Sequence, residues 1–317
     1  MIKFGPQTTL RDRVTITGRG VHFNTSVRVV IHPADVGAGI VFLRTGLPGG
    51  RERLIEAKHS NVSRTDLCTV LGDNERASVA TVEHLMAALA GLGVDNVLIE
   101  IDGPEAPIMD GSAAQFVAAI DKVGIVAQSR PRRHLRVLKT VRVERGSAYS
   151  ELRPFENGFR LDIDIDFDSP AIGRQRKIFD LDAATFRRQI ASARTFGFVS
   201  DVKRLWQMGF ALGSSLENSV AVEDGKVVNP EGLRFSDEFV RHKALDAIGD
   251  LALAGAPIIG CYRSHRPGHT MNALVLDALF ADRDAYEFTE AAARREFAPA
   301  RAGSRRIAAA AYAPPVD

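Results

Sequence analysis

The segment Arg241-His242-Lys243-Ala244-Leu245-Asp246-Ala247-Ile248-Gly249-Asp250 spaces a histidine and two aspartates four residues apart. On a helix this spacing sets them in one slowly turning row. His242 and Asp246, one turn apart, can grip the same cation, and Asp250 can support the site from behind. Thr81-Val82-Glu83-His84 brings an adjacent Glu-His pair on a second helix. Two histidines and one aspartate from distant segments leave room for water. That is the ligand count of a catalytic metal, whereas structural zinc sites close with four protein ligands. Neighbouring helical residues point about 100° apart. One of Glu83 and His84 can therefore ligate while the other takes a proton from water held by the ion.

Each of these residues also has an ordinary reading. A single helical His is more often structural, and His-x-x-x-Asp also suits a surface ion pair. A glutamate is commonly solvated, but Val82, Leu85, Met86 and Leu89 make the helix of Glu83 largely apolar. The order Glu then His departs from the His-Glu-x-x-His pattern of a metalloprotease. His269, in Arg266-Pro267-Gly268-His269, is expected on a loop between a strand and a helix, where it could act as a general acid. His22 and His265 keep their ordinary readings. Arg194-Thr195-Phe196-Gly197-Phe198, followed by Trp206, Phe210 and Leu212, would suit a substrate with a polar head and an acyl chain. Composition alone makes it core.

These groups need elements to position them. Strands are expected at Val14 to Thr17, Val27 to Ile31, Gly39 to Leu43, Thr65 to Leu71 and Asn96 to Ile101. Ser78 is expected to cap a helix running to about Ala90, and Asp110-Gly111-Ser112 to precede a helix reaching Val123. Gln128 to His134, polar and basic with a proline, reads as a linker. Strands then restart at Val137 to Val143, Tyr149 to Arg153 and Arg160 to Phe167, the last with an apolar and an acidic face. Asp182 caps a helix from Ala183 to Ile190. Ser236 caps the metal helix, which Gly255 ends, before a strand at Ile258 to Tyr262 and a helix at Asn272 to Phe280. Both halves run through strands, a helix with metal-type residues, a short strand and another helix, a pattern that suggests an old duplication.

The chain has 317 residues, enough for about two domains. Its net charge of +2 gives no large field to draw nucleic acid or a membrane surface. Two cysteines carry no disulfide framework and suit a reducing compartment. The first residues do not read as a signal peptide, and no stretch of about 18 apolar residues occurs. The expectation is a soluble, cytoplasmic monomer with no nucleic-acid partner and no transmembrane segment.

Taken in order, Ile16-Thr17-Gly18-Arg19-Gly20-Val21-His22, Thr81 to His84, Ile108-Met109-Asp110-Gly111-Ser112-Ala113, Ala193 to Phe198, Phe239 to Asp250 and Gly268-His269 resemble the UDP-3-O-acyl-N-acetylglucosamine deacetylases, zinc enzymes of lipid A synthesis in Gram-negative bacteria. The resemblance spans roughly residues 8 to 283. It implies that His84, His242 and Asp246 hold Zn2+, with Fe2+ as the other cation to consider. It implies Glu83 as general base, His269 as general acid and oxyanion partner, Thr195 at the substrate carbonyl, and Asp250 orienting His269. Lys243 would contact the polar head of the UDP-linked acylated glucosamine. Phe196 and Phe198 would belong to an acyl passage, and Asp166, Phe167 and Arg266 would lie near the nucleotide. Some relatives carry a lysine where this chain has Ala148, which makes Arg145 the candidate to replace it at the diphosphate.

The expected fold is α/β in two similar domains, each a sheet packed against helices, with the metal site at their interface. Residues 1–128 would supply Glu83 and His84, and residues 131–295 would supply His242, Asp246 and His269. Residues 296–317, rich in Ala and Arg, would be a tail outside the family pattern. Two competing classes are a non-haem Fe(II) enzyme, since two His and a carboxylate also describe that triad, and a non-catalytic nucleotide-sugar binding module.

Overall fold

The computed structural model describes residues 5–73 and 77–290. The first half runs β1 (Pro6–Leu10), β2 (Val14–Arg19), β3 (Ser26–Pro33), β4 (Ile40–Leu47), β5 (Arg51–Glu56), β6 (Val62–Arg64), β7 (Val70–Asp73), β8 (Ala77–Val79), α1 (Glu83–Leu92), β9 (Val97–Ile101), α2 (Ala114–Val123) and β10 (Ile125–Pro131). The second half runs β11 (Arg133–Val137), β12 (Val141–Arg145), β13 (Ala148–Arg153), β14 (Phe159–Asp166), β15 (Arg174–Leu181), α3 (Ala183–Thr185), β16 (Phe196–Phe198), α4 (Val199–Gln207), β17 (Val220–Glu223), β18 (Lys226–Val227), α5 (Glu238–Leu251), β19 (Ile258–His265), α6 (His269–Ala281) and β20 (Tyr286–Glu290).

The layout is mixed α/β and two-domain-like. The main sheet of the first half has the order β2-β3-β9-β4-β5. In the second half β12, β13 and β19 are neighbours, and β19 also pairs with β14, which pairs with β15. Directions repeat as well. The strand between the two helices, β9 or β19, is antiparallel to β3 or β13 and parallel to β4 or β14. The inner faces bury Val29, Ile31, Ile99 and Phe42 in one sheet and Leu152, Leu161, Ile163 and Tyr262 in the other. The helices lie against these faces, and α1 packs on α5 in one continuous apolar core.

That helix pair sets the site. A Cβ at Gly249 would lie 2.0 Å from the Glu83 carbonyl oxygen. Glycine there lets α5 approach the start of α1 closely. The start of α1 is itself constrained, because Thr81 sits in the left-handed region at φ 56. A β-branched residue is rare there. Its hydroxyl donates to Glu105, a fully buried carboxylate that also accepts from the His22 and Phe23 amides.

Several expectations are corrected. Gln128 to His134 is not a linker loop: β10 runs to Pro131 against β1, and β11 begins at Arg133 against β20. Pro131, lacking an N–H, ends its strand, where no further ladder bond is needed. Thr65 to Leu71 is not one strand, because the chain leaves β6 at Arg64 and resumes at Val70. Thr69 between them bonds to α1 instead of a ladder. Ser78 lies in β8, so it does not cap α1; Ala80 first pairs with Pro104 and Ala106. Val137 to Val143 is split between β11 and β12. Ser236 does not cap α5; Asp237 stands at the cap position before Glu238, and its carboxylate meets Lys177 and Arg241 instead of the helix amides. Asp182 does cap its helix, accepting from the Thr185 amide, with a π turn over Phe186–Ile190 beyond. The alternation expected from Arg160 to Phe167 falls in β14, whose acidic face places Asp162 and Asp164 beneath arginines. The expected tail, 296–317, lies outside the described residues, within which no helix is long and apolar enough to cross a membrane.

Candidate active site

His84 is the second residue of α1, while His242 and Asp246 share a face of α5, all three buried. One ligand atom from each lies within 4.8 Å of the others. Asp246 Oδ1 is 3.2 Å from His242 Nε2 and 3.6 Å from His84 Nε2. The two imidazoles stand edge to face, their centroids 5.0 Å apart. His242 Nδ1 donates to the Ala193 carbonyl at 3.0 Å, which leaves Nε2 with its lone pair toward the centre. Burial lowers the His84 pKa, favouring the neutral, ligating form. Burial would raise Asp246, yet His242 and Lys243 hold its carboxyl well below the usual range. Asp246 Oδ1 is buried without a hydrogen-bond partner. A buried carboxylate oxygen left unpaired is costly, and two imidazoles beside it complete a donor set that fits a divalent cation.

Glu83 and His269 face each other beside this set, His269 Nε2 lying 3.9 Å from Glu83 Oε1. His269 is the first residue of α6 and not a loop residue as expected. The Glu83 carboxylate accepts from the Thr69 amide at 3.1 Å. Burial lifts its pKa to about 7, with His269 opposing and Asp250 and Asp246 adding to the rise. For His269, burial disfavours the charge, but the carboxylates of Asp250 and Glu83 outweigh it and raise the pKa to about 10. His269 Nδ1 donates to Asp250 Oδ2 at 2.8 Å. Asp250 also accepts from Asn272 at 2.8 Å and from the Thr69 hydroxyl at 2.6 Å.

The segment from Ala193 to Phe196 supports the same place from the second half. Ala193 orients His242. Buried Arg194 pairs with Glu238 in the first turn of α5. The Thr195 amide donates to the Gly111 carbonyl at 2.7 Å, and Gly111 fits only as glycine, since a Cβ would meet the Asn218 oxygen at 2.0 Å. Phe196 packs on Phe239 at 4.9 Å, with the His242 ring 6.3 Å away. Lys243 lies 5.5 Å over the Phe196 ring and donates to Asp246 Oδ2 at 2.9 Å. Phe167 joins Phe196 and Phe198 in one aromatic cluster. Asp166, the last residue of β14, and Arg266, just past β19, form an ion pair of 3.0 Å, and among the described residues neither shares a hydrogen bond or ion pair with His84, His242 or Asp246. Phe210 packs against His22 and Phe23, while Trp206 and Leu212 are exposed. Thr69, Glu105 and Asn272 escaped the sequence reading. Thr69 follows Cys68 in an apolar run and carries no spacing signal, so only its contacts reveal it.

The family model described as UDP-3-O-acyl N-acetylglycosamine deacetylase matches residues 7–281. Curated proteins named UDP-3-O-acyl-N-acetylglucosamine deacetylase from Brucella ovis, Brucella canis and Brucella abortus strain 2308 are each 50% identical over 286 residues, which is 90% of this chain and 99% of theirs. A match of this extent, over the span that holds both helices and every residue of the site, places the chain in the UDP-3-O-acyl-N-acetylglucosamine deacetylase family.

Proposed function

We propose that this chain is a zinc-dependent amide hydrolase that removes the N-acetyl group from UDP-3-O-(3-hydroxyacyl)-N-acetylglucosamine and releases acetate, an early committed step of lipid A synthesis. The observation that carries the reading is the buried His84, His242 and Asp246 set flanked by Glu83 and His269, in a chain half-identical to curated deacetylases.

His84, His242 and Asp246 would hold the cation. When bound, a zinc ion polarises the amide carbonyl and lowers the pKa of water. Glu83, poised near neutrality by burial, takes the water proton. His269 enters as imidazolium, because Asp250 and Glu83 hold it charged, and protonates the leaving amine. Thr195 and His269 steady the oxyanion that develops on the acetyl group. Lys243 meets the polar head. Phe196 and Phe198 line the passage for the acyl chain, with Phe167, Asp166 and Arg266 toward the nucleotide. The reading also takes the protein as a cytoplasmic monomer whose partner is this nucleotide sugar, without nucleic acid.

The test is acetate release from the acylated UDP-sugar by metal-stripped protein reloaded with Zn2+ or with Fe2+ under anaerobic conditions. Turnover with Zn2+ supports the reading. Turnover with Fe2+ alone would move the metal to iron, and binding without acetate release would leave a nucleotide-sugar binding module.

A further inference from the structure

We propose that Thr69 is a positioning residue that fixes the Asp250 carboxylate, and through it His269, in the orientation deacetylation requires; this rests on the function proposed above. Thr69 is 2% exposed and lies in the connection between β6 and β7. All three of its polar groups are committed to the site. Its carbonyl accepts from the Val82 amide ahead of α1. Its amide donates to Glu83 Oε2 at 3.1 Å. Its hydroxyl crosses to the second half and donates to Asp250 Oδ1 at 2.6 Å. One residue thus ties the carboxylate facing His269 from α1 to the carboxylate behind His269 on α5.

The two oxygens of Asp250 are supported unequally. Oδ2 accepts from both His269 and Asn272. The Asn272 amide is itself oriented by Tyr262, whose hydroxyl meets Ser150 at 2.9 Å. Among the described residues only Thr69 donates to Oδ1. Without that hydroxyl Oδ1 is a buried, charged oxygen with no donor, and an unmade bond of this kind is more costly than the bond is stabilising. The carboxylate can relieve this by turning, which draws Oδ2 away from His269 Nδ1. The Thr69 hydroxyl bonds only to Asp250, which neither gives nor takes a proton in the proposed reaction, so its loss would fall on the chemical step more than on substrate binding.

Thr69→Val keeps the shape and removes the hydroxyl, whereas Thr69→Ser keeps the hydroxyl and removes the methyl. Loss of a supporting partner of this kind costs roughly 10- to 100-fold in activity. Thr69→Val is expected to lose that much in kcat with KM little changed and bound metal unaltered, and Thr69→Ser to restore most of it. A second readout needs no turnover: the downfield proton resonance of His269 Nδ1–H, assigned by its loss in His269→Gln, should shift in Thr69→Val and return in Thr69→Ser. Wild-type kcat and an unmoved resonance in Thr69→Val would overturn the proposal, as would equal losses in the two variants. If the wild-type protein releases no acetate, the proposed reaction fails on its own, and the resonance still decides whether Thr69 holds the Asp250–His269 pair.

Discussion

The two main sheets share a strand order, β2-β3-β9-β4-β5 beside β12-β13-β19-β14-β15, and each is followed through a helix, a strand and a helix. They differ on their outward faces and in what is inserted between the last strand of that order and the first helix. The first sheet turns Thr15, Thr17, Leu43 and Leu98 outward, with His32 beside Glu100. The second turns out rows of opposite charge. Asp162 lies between Arg176 and Arg263, Asp164 between Arg174 and His265, and Glu151 beneath Arg142 and Arg153. The first insert, β6 to β8, carries Thr69, and the second, α3 to β18, carries Thr195, Phe196 and Phe198. The repeated frame therefore sets two helices face to face, and the parts that do not repeat surround the His84, His242 and Asp246 set with different chemistry. A stable scaffold with variable connections is a common route to function.

The severest way to break this comparison is at the joint between the halves. His84 comes from one half, and His242 and Asp246 from the other. Each Ala substitution should lower bound metal and activity together while the circular dichroism spectrum stays native. If His84→Ala keeps stoichiometric metal and full turnover, the second half forms the site alone. Next in size is Glu83→Gln, which should keep the metal and lose about 10²-fold or more in rate, as loss of a general base does. An unchanged rate at saturating substrate would remove Glu83 from that role.

Asp250→Asn probes α5 against α6. Because Asp250 helps raise His269 to about 10, removing its charge should lower that pKa. The imidazolium is then lost at lower pH, so the alkaline limb of kcat/KM should move toward neutrality. A limb that stays in place would assign it to another group. The second insert is tested by Phe198→Asp, expected to reduce kcat/KM more for acylated than for unacylated substrate, because buried methylenes contribute about 0.8 kcal/mol each. Equal losses would make the segment ordinary core. The smallest effects concern the outer faces. Asp162→Ala strands Arg176 and Arg263, but both are partly exposed and can hydrate, so denaturant unfolding should show a loss of about 1–2 kcal/mol, below that for a fully buried pair. Glu100→Ala on the first sheet should stay within about 0.5 kcal/mol. Equal losses would show that the two faces are stabilised alike.

Local periodicity made part of this molecule legible. The four-residue spacing of His242, Asp246 and Asp250 is a property of a helix, and α5 runs through all of it. The alternation from Arg160 marks β14 for the same reason, since two-residue periodicity belongs to a strand. His84 beside Glu83 and His269 after its Gly-containing segment stood out by residue type, the resemblance gave each a role, and both stand beside α5. Other features were settled only by contacts between distant segments. Thr69 and Asp250 are 181 residues apart, and no window of sequence contains both. β15, with Arg174 and Arg176 where apolar residues would be sought, is a strand because Asp164 and Asp162 stand beside it. Gln128 to His134 became strand because β1 and β20 pair with it, although its polarity and proline favour a loop. Helix and strand periods are written within a few residues. Ladder partners, buried ion pairs and the approach of α5 to the Glu83 backbone exist only once the two halves meet, because each depends on a group that the local chain does not carry.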